Sequence, residues 1–255
     1  MEKEKFISVM KRYELKYSLN QEQLDYFVSR ITEFMKPDKY GLTTIASLYF
    51  DTPDYRLINK SIEKPKYKEK LRLRSYGLAS KDNKCFLEIK SKLDSIVYKR
   101  RILISEEEAI ELINNKETDK KDQITRELAS FIDKYHNLEP KYLLIYDRIA
   151  YYQDNSDLRI TLDMNPRYRT TELNLHTSMN GNPVIQDGVA ILEVKVQHSV
   201  PLWLVEILSK AKIYQTSFSK VGTAHNNEMR KRQLIKHQES INKEALGGLN
   251  YGFTI

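Results

Sequence analysis

Cysteine is almost missing from this chain. Among 255 residues Cys85 stands alone, which excludes an internal disulfide and a CxxC-type zinc site. A reducing, cytoplasmic location fits that usage. Glycine is also scarce: eight glycines against seventeen tyrosines favour strands over flexible linkers. No run approaches the ~20 apolar residues needed to span a bilayer. The opening MEKEKFISVMKRYELKY holds no apolar stretch long enough for a secretory signal. Any attachment to the inner face of a membrane is therefore expected to run through a partner protein. There is no helix-turn-helix or RNP-type aromatic motif, so a nucleic-acid partner is not expected. A Ser-His-Asp arrangement is missing too, and His198 and His225 receive no role.

What the chain has in excess is positive charge: 42 Lys and Arg against 35 Asp and Glu, a net +7. The excess points to an anionic partner without choosing among nucleic acid, acidic lipid and polyphosphate. Length is ordinary for one β-rich domain. Residues 1–255 are expected to form one, with its core at about 9–225 and a charged helix at about 223–246.

Several segments alternate apolar and polar residues with the period of a half-buried strand. RYELKY sets Tyr13, Leu15 and Tyr17 against Arg12, Glu14 and Lys16. EKLRLRS opposes Leu71 and Leu73 to Arg72 and Arg74, and CFLEIKS opposes Cys85, Leu87 and Ile89 to Glu88 and Lys90. LRITLD and LEVKVQ repeat the pattern with Arg159, Thr161 and Asp163, and with Glu193, Lys195 and Gln197. Thr44–Asp51, Val97–Ile104 and Lys141–Tyr152 complete the strand candidates. Helices are expected from the Asn20 cap to Pro37, from the Ser105/Glu108 capping box, over Ile124–Tyr135, and from Pro201 onward. Asn115–Asp122 reads as a charged loop. Thr170–Gly188 reads as a polar stretch with a turn at Asn180-Gly181.

On any one strand, a charged face in water is the ordinary explanation. Here Arg72, Arg74, Lys90, Lys99, Arg148, Arg159 and Lys195 accumulate on separate strands, and the intervening amphipathic helices could cover the apolar faces from outside. The charged faces would then turn inward, which makes sense only if a multiply charged anion enters. A phosphate chain fits, because guanidinium holds two phosphate oxygens and ammonium acts as a point charge. Glu14, Glu88 and Glu193 sit among these cations, as charge compensation or as holders of a divalent ion, with Glu193 the preferred metal ligand. Tyr49 and Tyr146 are candidates to face the interior. Trp203 and the other tyrosines belong to the core.

The order RYELKY, SLYFDTPDY, EKLRLRSYG, CFLEIKSK, VYKRR, YDRIAY, LRITLD, LEVKVQ and SFSKVGTA resembles the VTC domain. That is the catalytic domain of the vacuolar transporter chaperone polyphosphate polymerase, with bacterial relatives, among the CYTH-like triphosphate tunnel metalloenzymes. The resemblance spans about Arg12 to Ala224. It implies an α+β fold: an eight-stranded antiparallel β-barrel forming a tunnel, with helices packed outside. It also implies transfer of the γ-phosphate of ATP to a growing polyphosphate chain, with Mn²⁺ or Mg²⁺. Carried onto this chain, Lys16, Arg72, Arg74, Lys90, Lys99, Arg148 and Arg159 would act at the phosphates, Glu193 would hold the metal, and Lys220 would sit near the tunnel's end. Lys195, Glu14 and Glu88 would join substrate binding. One departure is that many tunnel hydrolases and cyclases begin with Glu-x-Glu-x-Lys, whereas here Arg12 takes the first position. That weakens a tripolyphosphatase or nucleoside triphosphatase reading, which stays open beside a non-catalytic polyphosphate-binding module.

Overall fold

A computed structural model describes residues 9–10, 13–63, 65–80, 84–94, 96–115, 122–185 and 189–248. Arg12 and most of the 115–122 loop lie outside the described residues. In chain order the elements are β1 (Val9–Met10), β2 (Tyr13–Leu19), α1 (Gln21–Ile31), β3 (Lys36–Pro37), β4 (Thr43–Asp51) and α2 (Arg56–Ile62). Then come β5 (Tyr67–Tyr76), β6 (Cys85–Leu93), β7 (Ile96–Ile104), α3 (Glu106–Asn115), α4 (Gln123–Tyr135) and β8 (Glu139–Tyr152). β9 (Arg159–Arg169), β10 (Asn182–Pro183), β11 (Ala190–Val196), α5 (Leu202–Lys210) and α6 (Lys220–Gly248) complete the chain. The protein is α+β, with one large antiparallel sheet ordered β1-β7-β6-β5-β4-β8-β9-β11-β2; β10 pairs with β9, and β3 with β8.

Strand alternation decides what each face meets. Leu71, Leu73, Cys85, Leu87, Ile102 and Ile104 pack with Ala109, Leu112, Leu128 and Phe131 of α3 and α4 in one core. Leu19, Ile160, Leu162, Leu192 and Val194 pack with Phe27, Ile31, Leu204 and Ile207 of α1 and α5 in a second. Helices thus cover the apolar face from outside, and the charged face becomes the concave one. At one end of that concavity Tyr142, Leu144 and Tyr168 meet Val221 and Ala224 of α6, so the helix plugs it with apolar side chains.

The sheet is strongly rolled. Glu14 on β2 and Lys90 on β6 stand far apart in the strand order, yet the lysine Nζ donates to the carboxylate at 3.2 Å across the interior. The ladder nevertheless does not close among the described residues, so the expected eight-stranded barrel is not what the hydrogen bonds show. β7 pairs with the short β1. The outer edge of β2 is taken by the loop before α6, through the Tyr17–Gln215 bridge and the Thr216 N–H donating to the Lys16 carbonyl at 2.8 Å. A strand edge already occupied by a loop cannot accept another strand.

Two local differences from the sequence reading have physical causes. α1 stops at Ile31 rather than running to Pro37, because Lys36 and Pro37 pair with Tyr152 and Tyr151 as β3. The residue before a proline is itself pushed toward extended geometry. α2 was not expected at all. Its N-terminus follows Tyr55 in the left-handed region and has no side-chain cap there. Instead Asp51, fully buried at the end of β4, accepts from the amides of Thr52, Leu57 and Ile58, each at 2.8 Å. Burial pushes the Asp51 pKa upward against these donors. The polar 170–185 stretch is pinned by the buried Arg169, which donates to the carbonyls of Glu172, Asn174 and Ser178. Asp51→Ala leaves three inner amides without an acceptor and should lower stability by about 2–3 kcal/mol, read from urea unfolding midpoints at unchanged m-value.

Candidate functional site

The polar faces meet around a cavity of about 390 Å³. β5 contributes Lys70, Arg72 and Arg74 from one face, because residues two apart on a strand point the same way. Lys90 and Lys99 join from the directly paired β6 and β7. Lys16 and Glu14 come from β2, Glu193 and Lys195 from β11, Arg148 from β8, and Lys220 from the first position of α6. Tyr49 and Tyr146 also reach the wall.

Among the described residues nine cationic side chains line the cavity, against Glu14 and Glu193 at the wall and Glu88 and Asp163 behind it. The formal excess is five positive charges. The buried Glu88 carboxylate accepts from Arg72 Nε at 2.8 Å and ion-pairs with Lys99 at 2.7 Å, with Arg74 at 3.9 Å. Asp163, equally buried, takes Arg148 in a two-point grip at 2.5 and 2.8 Å and also pairs with Lys220. Tyrosine hydroxyls fix the remaining guanidinium directions: Arg72 donates to Tyr49 at 3.1 Å and Arg74 to Tyr146 at 3.3 Å. Arg148 and Lys220 both lie over the Tyr146 ring.

Glu193 is held differently. Its Oε1 lies 3.4 Å from both Lys16 and Lys220, and its Oε2 lies 3.4 Å from Lys195 and 3.7 Å from Arg148. Four cations share one carboxylate at loose distances, so none is strongly committed to it. Arg148 and Lys220 are held more closely by Asp163, and Lys16 donates to the Phe218 carbonyl at 3.1 Å.

Protonation follows from burial and charge. Burial, with Lys90, Lys16, Lys68 and Arg72 nearby, pushes Lys70 well below its ordinary value. Burial likewise lowers Lys99, to about 8, although Glu88 opposes the shift. Burial alone would raise Glu14, but Lys90 together with Lys195 and Lys16 brings it down to about 2. Glu193 falls well below the carboxylate range because Lys220, Lys195, Lys16 and Arg148 outweigh its burial. The one thiol is inert: burial, with Glu106 nearby, pushes Cys85 up to about 11.

Most of the expected residues converge. Lys16, Arg72, Arg74, Lys90, Lys99, Arg148, Lys195, Lys220, Glu14 and Glu193 all line the cavity. Arg159 does not reach it: the side chain is exposed at the start of β9, donates to the Ser156 and Leu158 carbonyls, and lies over Tyr152. Glu88 stands behind Arg72 rather than at the wall. Two participants were missed. Asp163 was visible on the polar face of LRITLD, but nothing in the sequence pairs it with Arg148. Lys70 continues the series of Arg72 and Arg74 by one strand repeat, a signal that could have found it.

Fold and cavity define an α+β protein whose rolled antiparallel sheet carries a dense cationic site on its concave face. The chain belongs to the VTC domain family, whose model matches residues 11–226. No curated protein matches it. Among solved structures, a provisionally assigned adenylate cyclase from Bacillus halodurans is similar with a TM-score of 0.51 at 13% identity, over 84% of this chain and 96% of that one. Another provisionally assigned adenylate cyclase, from Vibrio parahaemolyticus, gives 0.47 at 12% identity, over 85% and 98%. The first likeness bears on the fold alone. Among the described residues no helix is long and apolar enough to cross a membrane.

Lys99, lowered by burial to about 8, is partly neutral near that pH and becomes fully charged when a polyanion arrives. Inorganic tripolyphosphate binding at about pH 8 should therefore take up protons, measured by calorimetry in buffers of different ionisation enthalpy. Lys99→Met should reduce that uptake, and proton release on binding would contradict the assignment.

Proposed function

We propose that this chain is an ATP-dependent polyphosphate polymerase. The observation that carries this reading is the formal excess of five positive charges around one cavity, with its arginines aligned by buried carboxylates and tyrosine hydroxyls. A chain of phosphates is the ligand class that such a set neutralises, and membership of the VTC domain family supports the same substrate.

In the proposed reaction, a terminal oxygen of the polyphosphate forms a bond to the γ-phosphorus of ATP. The bond between that phosphorus and the β–γ bridging oxygen breaks, and ADP leaves. The attacking oxygen is already anionic, so no general base is needed. Catalysis rests on alignment and on neutralising charge in the transition state. Arg72, Arg74 and Arg148 hold phosphate oxygens in fixed directions, and Lys16, Lys90, Lys99, Lys195 and Lys220 supply compact point charges.

The oxygen donor set suits Mg²⁺ or Mn²⁺ when phosphate is present. Among the described residues no three acidic or histidine groups cluster to cage an ion. Glu193 borders the cavity, and such ions commonly share one or two carboxylates with substrate phosphates. Glu193 would hold the ion jointly with the phosphates, and the ion would draw charge from their oxygens. A cytoplasmic location, with a membrane partner to receive the product, completes the reading.

Purified protein given ATP and Mn²⁺ should form long-chain polyphosphate, scored on a gel. Arg72→Ala and Glu193→Ala should each reduce the rate by about 10²-fold or more. Phosphate release without polymer would overturn the polymerase reading, and unchanged rates in both variants would overturn the site.

A further inference from the structure

The concave face does not end at the arginine-rich cavity. One strand repeat outward its chemistry changes: Arg74 gives way to Tyr76, Glu88 to Phe86, Lys99 to Arg101 and Asp163 to Thr161. These outer residues line a second cavity of about 500 Å³, joined to the first through Arg148 and Tyr76, which border both. That size falls in the range of small-molecule sites. Tyr40 borders it from the turn between β3 and β4, where Asp38 accepts from the Tyr40 amide at 3.0 Å. Arg101 lies over the Phe86 ring at 4.5 Å, and the Tyr76 ring stands edge-on to Phe86 at 6.1 Å. A flat group entering here meets aromatic rings and a guanidinium plane.

A second observation lies in the same wall. Thr161 is buried, and among the described residues its hydroxyl has no hydrogen-bond partner. Across the ladder to β8 it faces Ala150, whose methyl offers no bond. A buried hydroxyl left without a partner costs free energy. It stands one strand repeat from Asp163, the carboxylate that grips Arg148.

We infer that this outer cavity seats the nucleoside of a nucleoside triphosphate, with the base against Tyr76, Phe86 and Arg101 and a ribose hydroxyl bonded to Thr161. The inference rests on the proposed function for the presence of a nucleotide, and adds where its uncharged part is held. A ligand that spans the join at Arg148 has phosphates on the arginine side and a planar, apolar group on the other. Aromatic rings and guanidinium planes both stack on the face of a base. Two guanidinium groups in the wall disfavour a positively charged headgroup and accept a neutral one. Nucleoside and phosphates are thus held by different residues, so their contributions to binding can be separated.

The test compares two ligands by calorimetry: the β,γ-imido analogue of ATP, which does not transfer its phosphate, and inorganic tripolyphosphate. Phe86→Leu keeps an apolar side chain but removes the ring, and should weaken the nucleotide about tenfold. Thr161→Val keeps the shape but removes the hydroxyl, and should weaken it about fivefold. Tyr40→Ala, on an exposed turn, should weaken it in the same direction without touching the sheet. Tripolyphosphate affinity should stay unchanged in all three. Thr161→Val should not lower the urea unfolding midpoint, because the hydroxyl it removes has no bond within the protein; a lowered midpoint would overturn the ribose contact. Equal loss for both ligands, or unchanged nucleotide affinity in Phe86→Leu or Thr161→Val, would overturn the subsite. Selective nucleotide binding through Phe86 in a protein that makes no chain from ATP would refute the polymerase reading and leave the subsite standing. Chain formation with nucleotide binding unmoved by these variants would do the reverse.

Discussion

Two like charges 5 Å apart repel by about 3 kcal/mol at an effective dielectric near 20. Rolling a sheet with its cationic face inward multiplies that repulsion, and the rest of the architecture answers it. Glu88 and Asp163, both fully buried, each bind two or three cations from behind and leave the cavity side of those groups facing inward. A buried pair of this kind adds little net stability, but removing one partner is costly because a charge is left stranded. The carboxylates therefore act less as glue than as a constraint on where the guanidinium groups point. They leave a net positive cavity whose remaining deficit only a ligand can fill.

The outer layers make this tolerable. Two apolar cores, one under α3 and α4 and one under α1 and α5, bury the opposite face of the same strands. Each strand thus carries stabilising burial on one side and electrostatic tension on the other. Register is fixed by that contrast, since a one-residue slip would put arginine into the core and leucine into the cavity.

Much of this was legible in the sequence because a two-residue period is a local signal. Arg72 and Arg74, Lys90, Lys195 and Glu193 could be assigned to one face from their neighbours alone. The capping box of α3 reads directly from Ser105 and Glu108, and it forms. What could not be read depends on distance in sequence. Asp163 becomes a site residue only because Arg148 is its cross-strand partner. Arg159 obeys the alternation yet lies at the end of its strand, where the local carbonyls of Ser156 and Leu158 claim it. Closure of the ladder depends on which segment occupies the edge of β2, and no periodicity foretells that a loop would. α2 was hidden for the same reason, its acceptor Asp51 lying on the preceding strand.

Lys220 is unlike the other cavity cations in coming from a helix rather than a strand. The seat of α6 is narrow at Gly222, where an added Cβ would stand 3.2 Å from Ile62 of α2 and 3.3 Å from Ser219. α2 in turn is held by Asp51. The reach of one ammonium into the cavity is thus gauged by the contacts of Gly222 with Ile62 and Ser219 and by the carboxylate that caps α2. In manufacturing terms, the tolerance of the site is set by its mounting. Residues with no charge and no view of the phosphates, Ile62 and Gly222 among them, fix how far Lys220 projects.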